Sequence, residues 1–391
     1  MPSWFPAATT TTPPGRSPTL RAAWSSLKRW QKTWLLCWCA WLIVPALIGY
    51  VVLTKQQTQN RLAAVARHVD RMDPTKNDAV STKLELAPPA GHEQDPPAIR
   101  VKTGAYVTRI PKHSIVDSSW HVDFYLWFSW EGGTINPGET FKLVSGEISS
   151  KVLMRKTDDG DKHYALYRVN AEITKAFDTS RFPRDEHVLT IVVEDQGLQH
   201  YQMVYTTDDA TSALSSRVDI PGYAVTRKET VTKPHTYKTS MGDPSLPADY
   251  KATYSDFLFA ITITRPTWGV FLKMFLPLYL AVLLALVALF VKGPGERIGL
   301  VSTALFVAVI NGMTVNAMIP DTGTTTLADV IGILGYVVIG QTILQSIFYH
   351  RYFSDPAKDA QAALLFDRSS FVLVSLQAVA LNVGVVMAAS G

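Results

Sequence analysis

Five stretches of this chain are long and apolar enough to cross a bilayer, and no other feature constrains its fold as strongly. They are Thr33–Leu53, Val270–Val291, Ile298–Ile319, Leu327–Tyr349 and Phe371–Ala389. Each is close to the ~20 residues that a helix needs to span a hydrocarbon core. A mean hydropathy of +0.09 hides them, because a long polar segment separates the first span from the second. Arg16, Arg21, Lys28, Arg29 and Lys32 precede the first span, Lys292 and Arg297 lie between the second and third, and Arg351, Lys358 and Arg368 follow the fourth. The short loop Pro320–Thr326 has no Lys or Arg. Basic residues near span ends favour the cytoplasmic side, which predicts an inside amino terminus, an outside segment from Lys55 to Trp268 and an outside carboxyl terminus. The net charge of +4 is used in setting this topology and requires no nucleic-acid partner.

Residues 1–32, rich in Pro and Thr at their start, read as a disordered cytoplasmic tail. The first span, 33–54, is longer than a signal-peptide core and lacks a clear small-x-small cleavage site, so an uncleaved anchor is expected over a cleaved peptide. Cys37 and Cys39 both lie within it, and the outer segment is free of cysteine. In 55–98, Leu62, Val65, Val69 and Met72 stand at helical spacing, predicting a short amphipathic helix packed on the outer domain or on copies of itself. A polar linker with several prolines, Asp73–Pro97, follows.

From 99 to 267 the period changes to two. In His121–Trp130, Val122, Phe124, Leu126, Phe128 and Trp130 share one face of a strand, with His121, Asp123, Tyr125, Trp127 and Ser129 on the other. Further β-branched and aromatic runs, separated by Gly, Pro, Asp and Ser clusters, predict an antiparallel β-sandwich. Residues 268–391 then hold four closely spaced spans.

The order of these parts, with three motifs, resembles the pentameric ligand-gated ion channels, or Cys-loop receptors, and most closely their cysteine-free prokaryotic members. The first motif is Phe177–His187, FDTSRFPRDEH, similar to the family's FPFDxQ loop: Phe182, Pro183 and Asp185 match, while Arg184 and His187 depart from it. Thr174 and Val188 stand where animal receptors carry bridging cysteines. The second is Arg265 before the first bundle helix, with Pro277 inside that helix; the resemblance implies an Asp185–Arg265 ion pair that couples the domains. The third is Gly295-Glu296-Arg297 opening the third span, similar to the inner end of the pore helix in cation-selective members.

The resemblance implies a homopentamer in a bacterial inner membrane that conducts monovalent cations, with its sandwich in the periplasm, a lipid surround and no cofactor. It carries Glu296 and Gly299 onto a selectivity filter and Thr303, Phe306, Ile310 and Met313 onto the pore and gate. It would set Arg297 away from the pore, among cytoplasmic phosphates. Taken without the resemblance, Glu296 and Arg297 are also what the helix dipole and the positive-inside rule place at such a helix start.

Relatives bind agonists in an aromatic box between sandwiches. Pro234–Tyr254, placed like the family's capping hairpin, supplies Tyr237, Tyr250 and Tyr254 as candidate contacts for a small cationic ligand. Protons are the other candidate stimulus, with His121, His163, His187, His200 and His235 in the outer segment. Neither a phosphate-cradling loop, nor metal-spaced His and Cys, nor a nucleophile elbow is present, so the chain does not read as an enzyme. Glu194, Asp195, Asp208 and Asp209 read as solvated strand ends rather than a calcium site. A non-conducting sensor or scaffold on the same fold is the competing class; the extra span and Phe306 favour it.

Overall fold

The computed structural model describes residues 24–25, 27–76, 86, 88, 91–239, 250–265, 268–320, 323–353 and 356–390. The tail before residue 24 and most of the proline linker lie outside the described residues. The chain forms two compact units: Leu53–Phe275 with Asn311–Ile331 and Val385–Gly391, and a helical unit gathering the remainder.

The first unit contains two sheets. Strands β1 (Ile99–Ser114), β2 (Ser119–Glu131), β4 (Gly146–Asp159), β5 (Lys162–Thr174), β7 (Met203–Thr207) and β8 (Ala213–Leu214) make one, in the order β4-β5-β2-β1-β7, with β8 also on β1. Strands β3 (Phe141–Leu143), β6 (Glu186–Asp195), β9 (Ala224–Thr236) and β10 (Thr253–Thr264) make the other, in the order β3-β6-β10-β9. The alternation read in β2 holds: Val122, Phe124, Leu126, Phe128 and Trp130 are all buried. They share one core with Leu189, Ile191 and Val193 of β6 and Phe257, Phe259 and Ile261 of β10. Asp123, on the opposite face, is nevertheless buried, because Arg109 and Asn170 donate to its carboxylate.

The expectation of purely antiparallel pairing is corrected at one edge. β7 and β8 pair with β1 in parallel. The chain reaches β7 from β6, in the other sheet, so the crossover that a parallel partner requires is supplied by the change of sheet.

Among the described residues, five helices are long and apolar enough to cross a membrane. They are α1 (Arg29–Met72), α3 (Trp268–Ala288), α4 (Pro294–Asn316), α5 (Leu327–Phe353) and α6 (Pro356–Ser390); α2 is the short turn Pro137–Thr140. The separate amphipathic helix expected after the first span is instead the continuation of α1, which runs unbroken for 44 residues with Pro45 inside it. No Gly or Pro stands between Val51 and Met72 to stop it. Its C-terminal end meets the sheet unit with its polar side. Arg67 pairs with Asp178, His68 Nε2 lies 2.9 Å from Glu229 Oε2, and Lys233 Nζ donates to the Arg71 carbonyl at 3.1 Å. Leu62, Val65 and Val69 are exposed, so the apolar stripe faces away from the sheets. The reason is chemical: the strand beneath presents Glu229 and Lys233, which match polar partners.

In the helical unit, the first half of α1 is part of the core. Trp38 is buried beside Phe366, and its Nε1 donates to Ser370 Oγ at 2.9 Å. Trp34 packs against Phe348 and Phe366, with ring centroids 5.8 and 4.9 Å away. Farther along, α6 comes so near α1 that a Cβ on Gly384 would stand 2.3 Å from the Tyr50 ring.

Candidate functional site

The loop between β5 and β6 carries the first of three groups of candidate residues. Asp185, 2% exposed, accepts from Arg265 Nε at 2.8 Å and lies 2.6 Å from His187 Nε2. Arg265 also donates to the Tyr223 hydroxyl at 2.6 Å, and its guanidinium stacks 5.0 Å from the Phe182 ring centroid and 4.5 Å from that of Tyr223. Sequence reasoning paired Asp185 with Arg265 and found Phe182; it missed Tyr223 and His113. The His113 ring sits 4.9 Å from Phe177, 5.0 Å from Tyr223 and 6.0 Å from His187. Burial, helped by the nearby charge of His187 and Arg265, lowers its pKa to about 4. For Asp185, desolvation pushes upward, but its His187 hydrogen bond and the charges of His187 and Arg265 outweigh that and leave its pKa lowered.

The same loop caps a helix. The N–H groups of Leu327 and Ala328, at the start of α5, donate to the carbonyls of Ser180 and Phe182 at 2.9 and 3.0 Å. First-turn N–H groups have no partner within their own helix, so the loop satisfies donors that α5 cannot. Thr326 and Asp329 satisfy others reciprocally: Thr326 N–H donates to Asp329 Oδ2 at 2.8 Å, and Asp329 N–H to Thr326 Oγ1 at 3.1 Å. Pro183 is buried in this loop. At its base Lys175, half-buried, donates to the Val188 carbonyl. Burial first, and the Arg71 charge second, lower its pKa to about 7.

The second group is on α4. Glu296, Gly299, Thr303, Phe306, Ile310 and Met313 are all exposed, whereas Arg297, Val301, Ala304, Ala308 and Asn311 are buried. Phe306 and Met313 show 67% and 70% of their surface, the largest values on this helix among the large apolar side chains. The Thr303 hydroxyl donates to the Gly299 carbonyl at 2.9 Å. The Glu296 carboxylate folds back over Gly293, where an added Cβ would meet its Oε2 at 1.7 Å. Arg297 corrects the expectation of a headgroup contact. It is 1% exposed, ion-paired to Asp367 Oδ1 at 2.8 Å, hydrogen-bonded to Ser346 Oγ at 3.1 Å and to Gln345, and stacked 4.5 Å from the Tyr349 ring. Four partners on α5 and α6 outcompete phosphates that one exposed helix end would offer.

The third group lies across the sheet β3-β6-β10-β9. Tyr237 and Tyr254 meet edge to face, with centroids 5.6 Å apart, and the His235 ring stands 4.6 Å from Tyr237. The Tyr237 hydroxyl donates to Glu194 Oε1 at 2.8 Å; burial first, then this bond, raises its pKa. Tyr250 directs its hydroxyl to Gln199 Oε1 at 2.6 Å. Residues 240–249 of the expected capping hairpin lie outside the described residues.

Of the acidic residues expected as solvated strand ends, Glu194, Asp195 and Asp208 are buried anchors, whereas Asp209 is exposed. Glu194 and Asp195 are fully buried, and Asp195 Oδ1 accepts from the N–H groups of Gly197 and Leu198. Asp208 accepts from Trp127 Nε1 at 3.1 Å, and Asp209 from Lys228 Nζ and Thr230. Among the described residues no group of three or more His, Cys, Asp and Glu could hold a metal ion. No family model and no curated protein matches this chain.

Proposed function

We propose that this chain is the subunit of a homopentameric, cation-selective channel of the pentameric ligand-gated type. In this reading the two-sheet unit is a periplasmic β-sandwich, α3–α6 form the membrane bundle, α1 is an additional anchor, and the membrane is a bacterial inner membrane. One observation carries it: α4 packs only the stripe Arg297, Val301, Ala304, Ala308, Asn311 and Val315, and leaves uncovered a broad face that holds Glu296, Gly299, Thr303, Phe306, Ile310 and Met313 together with Ile298, Ser302, Leu305 and Val309. A helix lining a shared pore needs such a face, free within its own subunit.

Five copies of Glu296 would ring the cytoplasmic mouth and concentrate monovalent cations, and five Phe306 rings would close the pore by dewetting. A small ligand or protons acting on the sandwich would be transmitted through Asp185, Arg265 and the loop carbonyls that cap α5. The test is planar-bilayer recording of reconstituted protein across a pH series in asymmetric sodium chloride. Cation-selective current that weakens or loses selectivity in Glu296→Ala is the expected result. Silence in the wild type with current in Phe306→Ala would leave the pore and remove the stimulus.

A second reading is a non-conducting sensor that transmits through α1. It is favoured by the Trp34 and Trp38 contacts, which build α1 into the helical core rather than leaving it beside the bundle. Silence in both proteins, with intact insertion, would select it.

A further inference from the structure

Lys175 stands at the base of the loop between β5 and β6, and its amine has no acidic partner. Its Nζ donates to the Val188 carbonyl and, at 3.3 Å, to Thr190 Oγ1. Both acceptors are neutral. Thr190 alternates with the core residues Leu189 and Ile191, so its hydroxyl lies on the face of β6 turned away from the core. The carboxylates three positions away on either side are engaged elsewhere: Glu172 Oε1 lies 3.4 Å from His121 Nε2, and Asp178 pairs with Arg67. The charge that acts on Lys175 is instead positive, the guanidinium of Arg71 at the C-terminal end of α1. That end of α1 is fixed there by Arg67 on Asp178 and by Lys233, whose Nζ donates to the Arg71 carbonyl at 3.1 Å. Among the described residues no carboxylate forms an ion pair with Lys175 or with the Arg71 side chain.

A half-buried amine among neutral acceptors and beside a second cation resists protonation, and its pKa is accordingly lowered to about 7. Near neutral pH much of Lys175 is therefore the free amine, a nucleophile that an ordinary exposed lysine, protonated at that pH, does not offer. The same surroundings favour the opposite charge. An anion on Nζ would meet the Arg71 guanidinium and accept from the Thr190 hydroxyl. A small uncharged electrophile, carbon dioxide, generates that anion. We propose that Lys175 is a carbon dioxide site, modified reversibly to a carbamate that pairs with Arg71. The nitrogen lone pair attacks the carbon of carbon dioxide, forming the C–N bond while one C=O electron pair moves onto oxygen. The nitrogen then releases a proton to water, and nothing is oxidised or reduced. The modification turns two repelling cations into an attracting pair, so carbon dioxide fastens the end of α1 to the base of the loop. This holds whether or not the chain conducts.

Trapping in the full-length protein, purified in detergent and held near neutral pH with bicarbonate, tests the site directly. Triethyloxonium ion ethylates a carbamate to a stable ester, which peptide mass spectrometry reads, and isotopically labelled bicarbonate identifies its carbon. Lys175 is expected to carry the trapped group with an occupancy that rises and saturates with carbon dioxide, while Lys162, its side chain 76% exposed, carries none. No adduct at Lys175, or one no greater than at Lys162, overturns the proposal. Arg71→Leu, which leaves the amine in place, is expected to lower the occupancy several-fold, and Arg71→Lys to restore most of it; equal occupancy with and without the cation overturns the pairing. In parallel, the thermal unfolding midpoint of the wild type is expected to rise saturably with carbon dioxide at constant pH, because the protonated lysine of the unfolded chain does not take up the group. Lys175→Met should show no such rise, and a rise of the same size in that variant would also overturn the proposal.

Discussion

Arg297 and Asp367 are 70 residues apart in sequence and form an ion pair of 2.8 Å between the first turn of α4 and α6. Arg297 is the residue beside the candidate selectivity glutamate, so the pair fixes the rotation of α4 about its axis. With Arg297 turned inward, the neighbouring Glu296 is left on the uncovered side.

Removing one member should therefore cost more than removing both. Asp367→Leu strands a buried guanidinium and is expected to destabilise the helical unit by about 3–5 kcal/mol, whereas Arg297→Met with Asp367→Leu approaches neutrality. Thermal unfolding of the purified protein, followed by size-exclusion chromatography, gives the comparison; equal losses in single and double variants would refute a buried pair.

Asp185→Asn is expected to weaken the two-sheet unit by a similar ~3 kcal/mol, since Arg265 would lose its counter-charge in a buried site. Tyr223→Phe removes a single hydroxyl acceptor and should cost about 1 kcal/mol. Urea unfolding of the two variants should reproduce this order.

Acid should loosen the same junction through His113, which faces His187, Asp185, Arg265 and Tyr223. Its pKa is lowered from 6.5 to about 4 in the fold, so between those values the unfolded chain binds a proton that the native state refuses. Stability is accordingly lost as pH falls from about 6.5 to about 4. The melting temperature of His113→Phe should fall less steeply over that window than the wild type's.

Lys175 acts in an alkaline window. Its pKa drops from 10.5 to about 7 on folding, so the unfolded chain is the better proton binder between them, and stability rises with pH over that range. The steepest contribution is about 1.4 kcal/mol per pH unit. Lys175→Met should be more stable than the wild type at pH 7 and should lose this slope, which paired unfolding curves at pH 7 and 9 would reveal.

Trp38→Phe should cost about 1 kcal/mol through the lost Ser370 hydrogen bond, and Trp38→Ala about 3–5 kcal/mol through the cavity left beside Phe366. A melting temperature unchanged in Trp38→Ala would show that α1 is not part of the helical core.

The sequence by itself determined the positions of the five membrane-length helices and the inward face of β2. Each is written in neighbouring residues: apolar length in the spans, a period of two in β2. The line Glu296 to Met313 on α4 and the Asp185–Arg265 pair were read through resemblance, because the polar residues of α4 form no continuous stripe and nothing local ties Asp185 to Arg265. Tertiary structure alone decided the partners. Arg297 reads as a headgroup contact until Asp367, Gln345 and Tyr349 are seen around it. Cross-strand register alone sets Lys142 over Glu194, with their charged atoms 2.7 Å apart. The stripe Leu62, Val65 and Val69 has helical periodicity, yet the charges on β9 draw the opposite side of α1 inward. Periodicity states which residues share a face; what that face meets depends on elements folded from distant parts of the chain.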